Sequence, residues 1–182
     1  YIQKNIHTLI SAFSLVREKN PDLKLKLAGK AIDRGYQAEI KEAINSAHLE
    51  NTVELIGEQT TKNLIHLYQS CALFIFPSTV ETFGNPLVEA MAWGTPIASS
   101  NTAAMPEILG DAATYFDPLD VKDMANTIMS ILENENERER LGALALERAK
   151  LFSWQKTASQ TASIIKSVAS SDLDSVGLNS ET

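Results

Sequence analysis

The sequence predicts an α/β fold in which a parallel β-sheet is covered by helices on both faces. Short apolar segments alternate along the 182-residue chain with longer segments whose apolar residues recur at helical spacing. This alternation is typical of parallel sheets, because each crossover between parallel strands needs a helix. The hydrophobic content of 44% is enough for the core of one domain of this length.

In the first half of the chain, each predicted element is bounded by residues that start or stop it. Asn20-Pro21 ends the first helix, because proline cannot continue a helix. The first two strands end at Gly29 and Gly57, and Thr60-Thr61 supplies an N-cap signal for a helix. The elements predicted here are a helix at 5–19, a strand at 23–28, a helix at 36–47, a strand at 52–56 and a helix at 60–68.

The second half begins with a continuously apolar strand and a short helix. Asn85 is a favoured N-cap residue, Pro86 suits the first helical position, and Gly94 with Pro96 stops the helix. Asn136 is predicted to cap a later helix. The elements predicted here are a strand at 72–76, a helix at 86–93, a strand at 96–99, a helical turn at 106–109, a strand at 112–116 and helices at 121–132, 136–151 and 154–168.

Composition limits the domain organisation and the partners. We predict one domain at residues 1–168 and a disordered tail at 169–182, which is rich in Ser and Asp. A net charge of −7 without a Lys/Arg-rich run argues against a nucleic-acid partner. The apolar stretches are shorter than the roughly 20 residues that span a bilayer. The single cysteine, Cys71, fits a reducing compartment, so a cytoplasmic location is expected.

One class of nucleotide site is excluded by the glycines. The eight glycines include no G-x-G-x-x-G fingerprint and no phosphate-binding Gly-x-x-x-x-Gly-Lys-Ser/Thr loop. An NAD-dependent oxidoreductase is therefore disfavoured, and any nucleotide must be bound by other means. The three scattered histidines have no metal-ligand spacing, so no metal site is expected.

The segment from Glu81 to Glu89 is the strongest functional candidate. It follows a buried strand and opens into a helix, which is where open α/β sheets bind ligands through free backbone N–H groups. Glu89 is the one charge in the predicted helix, which we expect to be buried nearly all round, and a carboxylate there is costly unless paired. Glu81 alone would be a solvated loop residue. Beside Gly84, where backbone can approach a ligand, it becomes a candidate partner for sugar hydroxyls.

The residues of this segment carry a resemblance to a known family. The pattern is similar to the glutamate-x7-glutamate signature of retaining GT-B glycosyltransferases, the group that includes sucrose synthases and lipopolysaccharide, capsule and phosphatidylinositol mannosyltransferases. The resemblance covers about residues 1–168. The matching segments are Lys4-Asn5, Leu27-Ala28-Gly29-Lys30, Pro77-Ser78, Glu81-x-Phe83-Gly84-x-Pro86-x-x-Glu89-Ala90-Met91-Ala92-x-Gly94-x-Pro96 and Phe152-Ser153-Trp154.

The resemblance implies the C-terminal half of a GT-B fold, a Rossmann-like domain that binds the donor sugar nucleotide. It also implies that the first strand of the domain and a phosphate-binding arginine lie upstream of residue 1, so that this chain alone is an incomplete, inactive fragment. The acceptor would bind an N-terminal domain. The last helix of such enzymes crosses back to that domain, so we expect Ile164, Ile165 and Val168 to be exposed.

The resemblance also implies roles for individual residues. Glu81 and Lys4 would be catalytic, one holding hydroxyls of the donor sugar and the other compensating charge on the leaving diphosphate. Glu89 would hold the ribose hydroxyls. The positions expected to face the donor sugar and phosphate are Thr82, Phe83, Gly84 and Asn85, and those expected near the base are Gly29, Lys30 and Gly57. Thr82 and Asn85 depart from the residues common in the family, Gly and Leu, which bears on which sugar fits.

The function implied is retaining, metal-independent transfer of a sugar from UDP, GDP or ADP to an acceptor hydroxyl in glycan, glycolipid, capsule or lipopolysaccharide biosynthesis. No cofactor is expected. The partners are the nucleotide sugar and an acceptor glycan or lipid, and the full-length enzyme can associate peripherally with the inner face of a membrane. Two alternatives stay open: a sugar-nucleotide-binding module without catalysis, and another GT-B enzyme such as an epimerase or a phosphorylase.

Overall fold

A computed structural model describes residues 2–30 and 32–175, which form an α/β structure of five strands and eight helices. Short 3₁₀ turns lie at Ile2–Lys4 and Gly110–Ala112. The strands are β1 (Leu25–Ala28), β2 (Val53–Gly57), β3 (Phe74–Phe76), β4 (Ile97–Ser100) and β5 (Thr114–Phe116). The helices are α1 (Ile6–Lys19), α2 (Arg34–Ser46), α3 (Thr61–Ser70), α4 (Asn85–Ala92), α5 (Met105–Leu109), α6 (Val121–Leu132), α7 (Glu135–Ala149) and α8 (Trp154–Ser175).

All strand pairs are parallel, which confirms the predicted fold class. The strands are divided between two sheets, however, whereas the sequence predicted one. Strand β1 pairs with β2, and β3, β4 and β5 pair in that order. No strand within residues 2–30 and 32–175 pairs with both β1 and β3, so each keeps one free edge. Residues of both strands line a single cavity of about 1040 Å³.

The core is continuous across both sheets. All of β4 is buried, as expected for a strand with neighbours on both sides and helices on both faces. Helices α1 and α6 pack together, so that Val16 and Ile128 are both nearly inaccessible to solvent. Strands β1 and β3 are only partly buried, because their free edges and side chains border the cavity.

Two helices begin elsewhere than predicted. Gly84, with φ of 84°, is the N-cap of α4, so Asn85 is already helical. Glycine adopts this left-handed conformation without strain, which moves the helix start back by one residue. Helix α7 begins at Glu135, and its capping side chain is that of Asn134, whose Oδ1 accepts a hydrogen bond from the N–H of Glu137 at 3.1 Å. The N-caps predicted at Asn85 and Asn136 are therefore wrong. The observed capping residues lie one residue earlier, at Gly84, and two residues earlier, at Asn134.

The chain divides into two compact units, Tyr1–Ala149 and Lys150–Thr182. Helix α8 forms most of the described part of the second unit and continues past its predicted end at residue 168. Residues 169–175 of the predicted tail are thus helical, and residues 176–182 lie outside the described residues. The expected exposure of Ile164, Ile165 and Val168 is confirmed. None of the described helices is long and apolar enough to cross a bilayer.

Helix α7 passes very close to the end of α4. A Cβ atom added at Gly142, in the middle of α7, would lie 2.6 Å from the backbone oxygen of Gly94. Real Cβ atoms do not approach oxygen this closely, and the obstructing atom belongs to the backbone. Gly142 is therefore required by the helix contact, although glycine weakens a helix interior.

We expect Gly142→Ala to lower the free energy of unfolding by about 1–3 kcal/mol, because the added methyl group overpacks the contact with Gly94. Helix propensity alone would raise stability by up to roughly 1 kcal/mol. Urea denaturation measures the change. The control is Ala143→Gly at an exposed position of the same helix, which reports propensity alone. If Gly142→Ala raised the free energy of unfolding by as much as Ala143→Gly lowers it, helix propensity alone would explain both changes. That result would contradict the close contact between Gly142 and Gly94.

Tyr115 connects β5 to the turn before it. Its hydroxyl donates a hydrogen bond to the backbone oxygen of Gly110 at 2.6 Å. Burial raises the pKa of Tyr115 to about 12, with Arg148 lowering and Asp111 raising the pKa by smaller amounts. The folded protein therefore retains the phenolic proton at a pH where the unfolded chain, with a tyrosine pKa of about 10, has lost it.

We expect stability to fall as the pH rises from about 10 to about 12, because the unfolded state binds fewer protons than the folded state over that range. Tyr115→Phe should make this loss shallower, while costing about 1 kcal/mol at neutral pH through the lost hydrogen bond. Urea denaturation at a series of alkaline pH values measures both effects. An unchanged alkaline slope in Tyr115→Phe would show that Tyr115 does not contribute to it.

Candidate functional site

Polar groups collect at the carboxyl ends of the strands. Gly29 follows β1, Gly57 ends β2, and Pro77-Ser78 follows β3. Because the strands within each sheet are parallel, their carboxyl ends meet at one edge. Most of the predicted site residues lie at or after these ends.

Lys4 and Glu81 form an ion pair at this edge, although 77 positions separate them in the sequence. The Nζ atom of Lys4 lies 2.5 Å from Oε1 of Glu81, and the Glu81 side chain is only 19% exposed. The same Nζ lies 5.6 Å from the centroid of the Phe76 ring, within range of a cation–π contact. A partly buried lysine with one carboxylate partner is a fixed cation that an anionic ligand can approach.

Asn5 holds the chain around Lys4 in place. It adopts a left-handed conformation with φ of 54°, which asparagine tolerates better than most residues. Its Nδ2 donates hydrogen bonds to the backbone oxygens of Pro77 at 3.1 Å and Pro118 at 2.7 Å. The start of α1 is thereby attached to the chain after β3 and the chain after β5. Asn5 thus positions its neighbour Lys4 beside Glu81.

Helix α4 begins directly after the loop that contains Glu81. The N–H of Leu87 donates to the backbone oxygen of Gly84 at 2.9 Å, and no acidic residue lies in the first turn. A Cβ atom at Gly84 would lie 3.0 Å from Leu87 Cδ1, in addition to the strain of its positive φ. The positive end of the helix dipole here is suited to an anion. Phe83, in the loop before this helix end, is 38% exposed.

Glu89 is exposed to solvent, so the prediction that its helix is buried nearly all round is wrong. Helix α4 buries only one face, formed by Leu87, Ala90 and Met91, while Glu89 and Trp93 are exposed. The predicted all-round burial fails because one side of the helix borders the cavity. The hydroxyl of Tyr68 donates a hydrogen bond to Oε2 of Glu89 at 3.1 Å.

The segments predicted to bind the base are neighbours. The N–H of Gly29 donates to the backbone oxygen of Gly57 at 2.9 Å, and both glycines have positive φ values, 144° and 67°. Lys30 Nζ lies 3.9 Å from Glu58 Oε2, with both side chains largely exposed. These residues form one polar corner where β1 and β2 end.

The predicted site residues fall into two groups. Those that line the 1040 Å³ cavity are Lys4, Gly29, Lys30, Gly57 and Glu89. Those in the loop before α4 and at the first residue of α4, which are not part of the cavity lining, are Glu81, Thr82, Phe83, Gly84 and Asn85. The Lys4–Glu81 ion pair joins the groups, because Lys4 borders the cavity and Glu81 belongs to the loop.

Sequence reasoning missed Tyr68 and did not assign a role to Asn5. Tyr68 occupies a helical apolar position in α3, and no sequence signal links it to Glu89. Asn5 adjoins Lys4, but its partners after β3 and β5 are distant in sequence. Ser78 is also notable, since its hydroxyl is buried and has no hydrogen-bond partner among the described residues. Within residues 2–30 and 32–175, no group of three or more His, Cys, Asp or Glu residues could hold a metal ion.

The fold matches solved glycosyltransferase structures. Sucrose-phosphate synthase from Thermosynechococcus elongatus superposes with a TM-score of 0.85 at 25% identity, over 94% of this chain and 44% of that one. The Anabaena protein HepE in complex with UDP-glucose superposes with a TM-score of 0.84 at 25% identity, over 92% of this chain and 46% of that one. The fold is thus that of a GT-B glycosyltransferase domain, as the sequence predicts.

The family follows from the sequence comparison. Residues 1–148 match the model of glycosyl transferases group 1, and the chain belongs to this family. O-antigen chain mannosyltransferase B of Escherichia coli is 32% identical over 166 residues, which are 90% of this chain and 43% of that protein. Mannosylfructose-phosphate synthase of Agrobacterium fabrum is 30% identical over 171 residues, covering 90% of this chain and 38% of that protein. The chain spans less than half the length of these relatives.

We expect Asn5→Ala to lower the free energy of unfolding by about 2–3 kcal/mol, because two backbone oxygens lose their donor and alanine is strained at this φ. Asn5→Gly removes the hydrogen bonds but tolerates the conformation, so it should lose about 1 kcal/mol less. Thermal and urea unfolding of both variants measure the difference. If the two variants are equally stable, alanine is not strained at this position. If Asn5→Gly is as stable as the wild type, the two hydrogen bonds of Asn5 do not contribute to stability.

Proposed function

We propose that this domain binds a nucleoside diphosphate sugar and supplies the donor site for retaining, metal-independent transfer of the sugar to an acceptor hydroxyl. The observation that carries the proposal is the Lys4–Glu81 ion pair beside the N-terminus of α4. A cation, a carboxylate and the positive end of a helix dipole are the chemistry that a diphosphate joined to a sugar requires.

The diphosphate would bind between Lys4 and the start of α4. Departure of a nucleoside diphosphate concentrates negative charge on its oxygens, and a fixed cation with a helix N-terminus stabilises that charge. A ligand phosphate would compete with Glu81 for the Lys4 ammonium, and Glu81 would then be available to accept hydrogen bonds from sugar hydroxyls. Because these groups supply positive potential without a metal ion, we propose that transfer is metal-independent.

The rest of the donor would extend from this point in two directions. On one side, the segment from Thr82 to Asn85, which directly follows Glu81, would contact the sugar. On the other side, Glu89 would accept hydrogen bonds from the ribose hydroxyls at the cavity wall. The base would lie at the polar corner formed by Gly29, Lys30 and Gly57.

The donor sugar is proposed from the relatives. Several are named mannosyltransferases, which favours mannose, whereas HepE is described with UDP and glucose. The retaining outcome is supported by the glutamate-x7-glutamate pattern at Glu81 and Glu89. We propose a cytoplasmic enzyme of polysaccharide or glycolipid biosynthesis whose acceptor binds a second domain. Such an enzyme can associate peripherally with the inner face of a membrane.

A non-catalytic sugar-nucleotide-binding module is the second candidate, because Lys4 and Glu81 are paired with each other. The two candidates differ in turnover. An enzyme releases free nucleoside diphosphate from a nucleotide sugar when acceptor is present, whereas a binding module does not. An epimerase would convert the sugar of the donor without an acceptor.

We expect isothermal titration to show saturable binding of UDP, GDP or ADP, and EDTA to leave the affinity unchanged. Lys4→Met and Glu89→Ala should each weaken the affinity about tenfold or more, because each removes a charged hydrogen-bond partner of the ligand. Glu139→Ala, at an exposed position of α7, is the matched control and should bind normally. Lack of binding to all three nucleotides, or normal binding by Glu89→Ala, would refute the proposed donor site.

A further inference from the structure

We propose that Tyr68 is a positioning residue that orients the carboxylate of Glu89 for the ribose hydroxyls, and so makes the site selective for ribonucleotides over deoxyribonucleotides. The proposal rests on the proposed function, because Glu89 is its point of action. It begins from the hydrogen bond that the Tyr68 hydroxyl donates to Oε2 of Glu89 at 3.1 Å.

Tyr68 is itself held rigidly. Its residue is only 8% exposed, and its ring meets the ring of Phe74 edge to face, with centroids 5.4 Å apart and planes at 84°. Its backbone oxygen accepts a hydrogen bond from the buried hydroxyl of Thr95 at 2.8 Å. Because packing holds the ring in this way, its hydroxyl has a fixed position, which a positioning residue requires.

The same threonine attaches Tyr68 to the helix that carries Glu89. The N–H of Thr95 donates to the backbone oxygen of Ala90 at 3.2 Å, while its side chain binds Tyr68. Helices α3 and α4 are therefore connected through one buried residue, which binds α4 at the residue that follows Glu89. The distance between the tyrosine hydroxyl and the base of the glutamate side chain is thereby determined by the fold.

Glu89 needs such a constraint because it is exposed. Among the described residues, Tyr68 is the one hydrogen-bond partner of its carboxylate. A free glutamate side chain has considerable rotamer entropy, which a ligand must overcome when it orders the chain. The tyrosine hydroxyl orders the carboxylate in advance and occupies one of its roughly four acceptor sites, so the others remain for a ligand diol.

A tyrosine does this without cancelling the charge of Glu89. Burial, and then the neighbouring carboxylate, raise the pKa of Tyr68 well above its usual value. The hydroxyl therefore keeps its proton across the physiological range and acts as a donor, and Glu89 acts as the acceptor. A lysine or arginine at this position would instead neutralise the carboxylate and weaken its attraction for hydroxyl protons.

The test compares UDP with 2′,3′-dideoxy-UDP, which lacks both ribose hydroxyls. Tyr68→Phe keeps the ring against Phe74 and removes only the donor. We expect it to weaken UDP binding about three- to tenfold, the effect of one hydrogen bond, and to leave binding of the dideoxy nucleotide unchanged. Tyr36→Phe is the control, because Tyr36 is also buried and hydrogen-bonded, through the N–H of Ile6, but does not contact Glu89. It should leave the ratio of the two affinities unchanged.

The outcomes separate this inference from the proposed function. Equal weakening of both nucleotides by Tyr68→Phe, or no weakening of either, would overturn the positioning role while leaving the donor site in place, provided that Glu89→Ala still reduces UDP affinity. If the wild-type protein binds neither nucleotide, or if Glu89→Ala has no effect, the donor site and the inference both fail. Thermal unfolding of Tyr68→Phe checks that the fold is retained.

Discussion

Parallel strand pairing is the constraint on which the rest of this structure depends. Because each crossover returns the chain to the same end of a sheet, the carboxyl ends of the strands gather at one edge. This arrangement places Gly29 within hydrogen-bonding distance of Gly57. It also places the backbone oxygen of Pro77 where the side chain of Asn5 can donate a hydrogen bond to it. The helices pack on the sheet faces, which leaves the edge as the place where backbone polar groups meet solvent and ligands.

The electrostatics of that edge follow from a small number of contacts. The Lys4–Glu81 pair needs Asn5 in its left-handed conformation, and Asn5 needs the two backbone oxygens that face it. Because these contacts depend on one another, the loss of one is expected to weaken the others. The same applies to Tyr68 and Glu89, which the buried hydroxyl of Thr95 keeps next to each other.

The sequence indicates a candidate site, but it does not predict the surroundings of the residues in that site. The sequence indicates Glu89 because a charge inside a buried helix is costly, yet one side of α4 faces a cavity and Glu89 is exposed. The helical pattern reports which residues are apolar, but not whether a neighbouring element covers them. For the same reason the sequence indicated one sheet, whereas β1 and β3 keep separate free edges.

Local chemistry alone determined most elements of this protein, since the α6 boundaries and the Thr60 cap depend on residues close in sequence. The glutamate-x7-glutamate pattern likewise indicated the family, because its spacing lies within one strand–loop–helix unit. Only the tertiary structure decided which distant groups meet. The pairing of Lys4 with Glu81, of Tyr68 with Glu89 and of Gly142 with Gly94 depends on how helices and strands pack, and no short-range pattern records that packing.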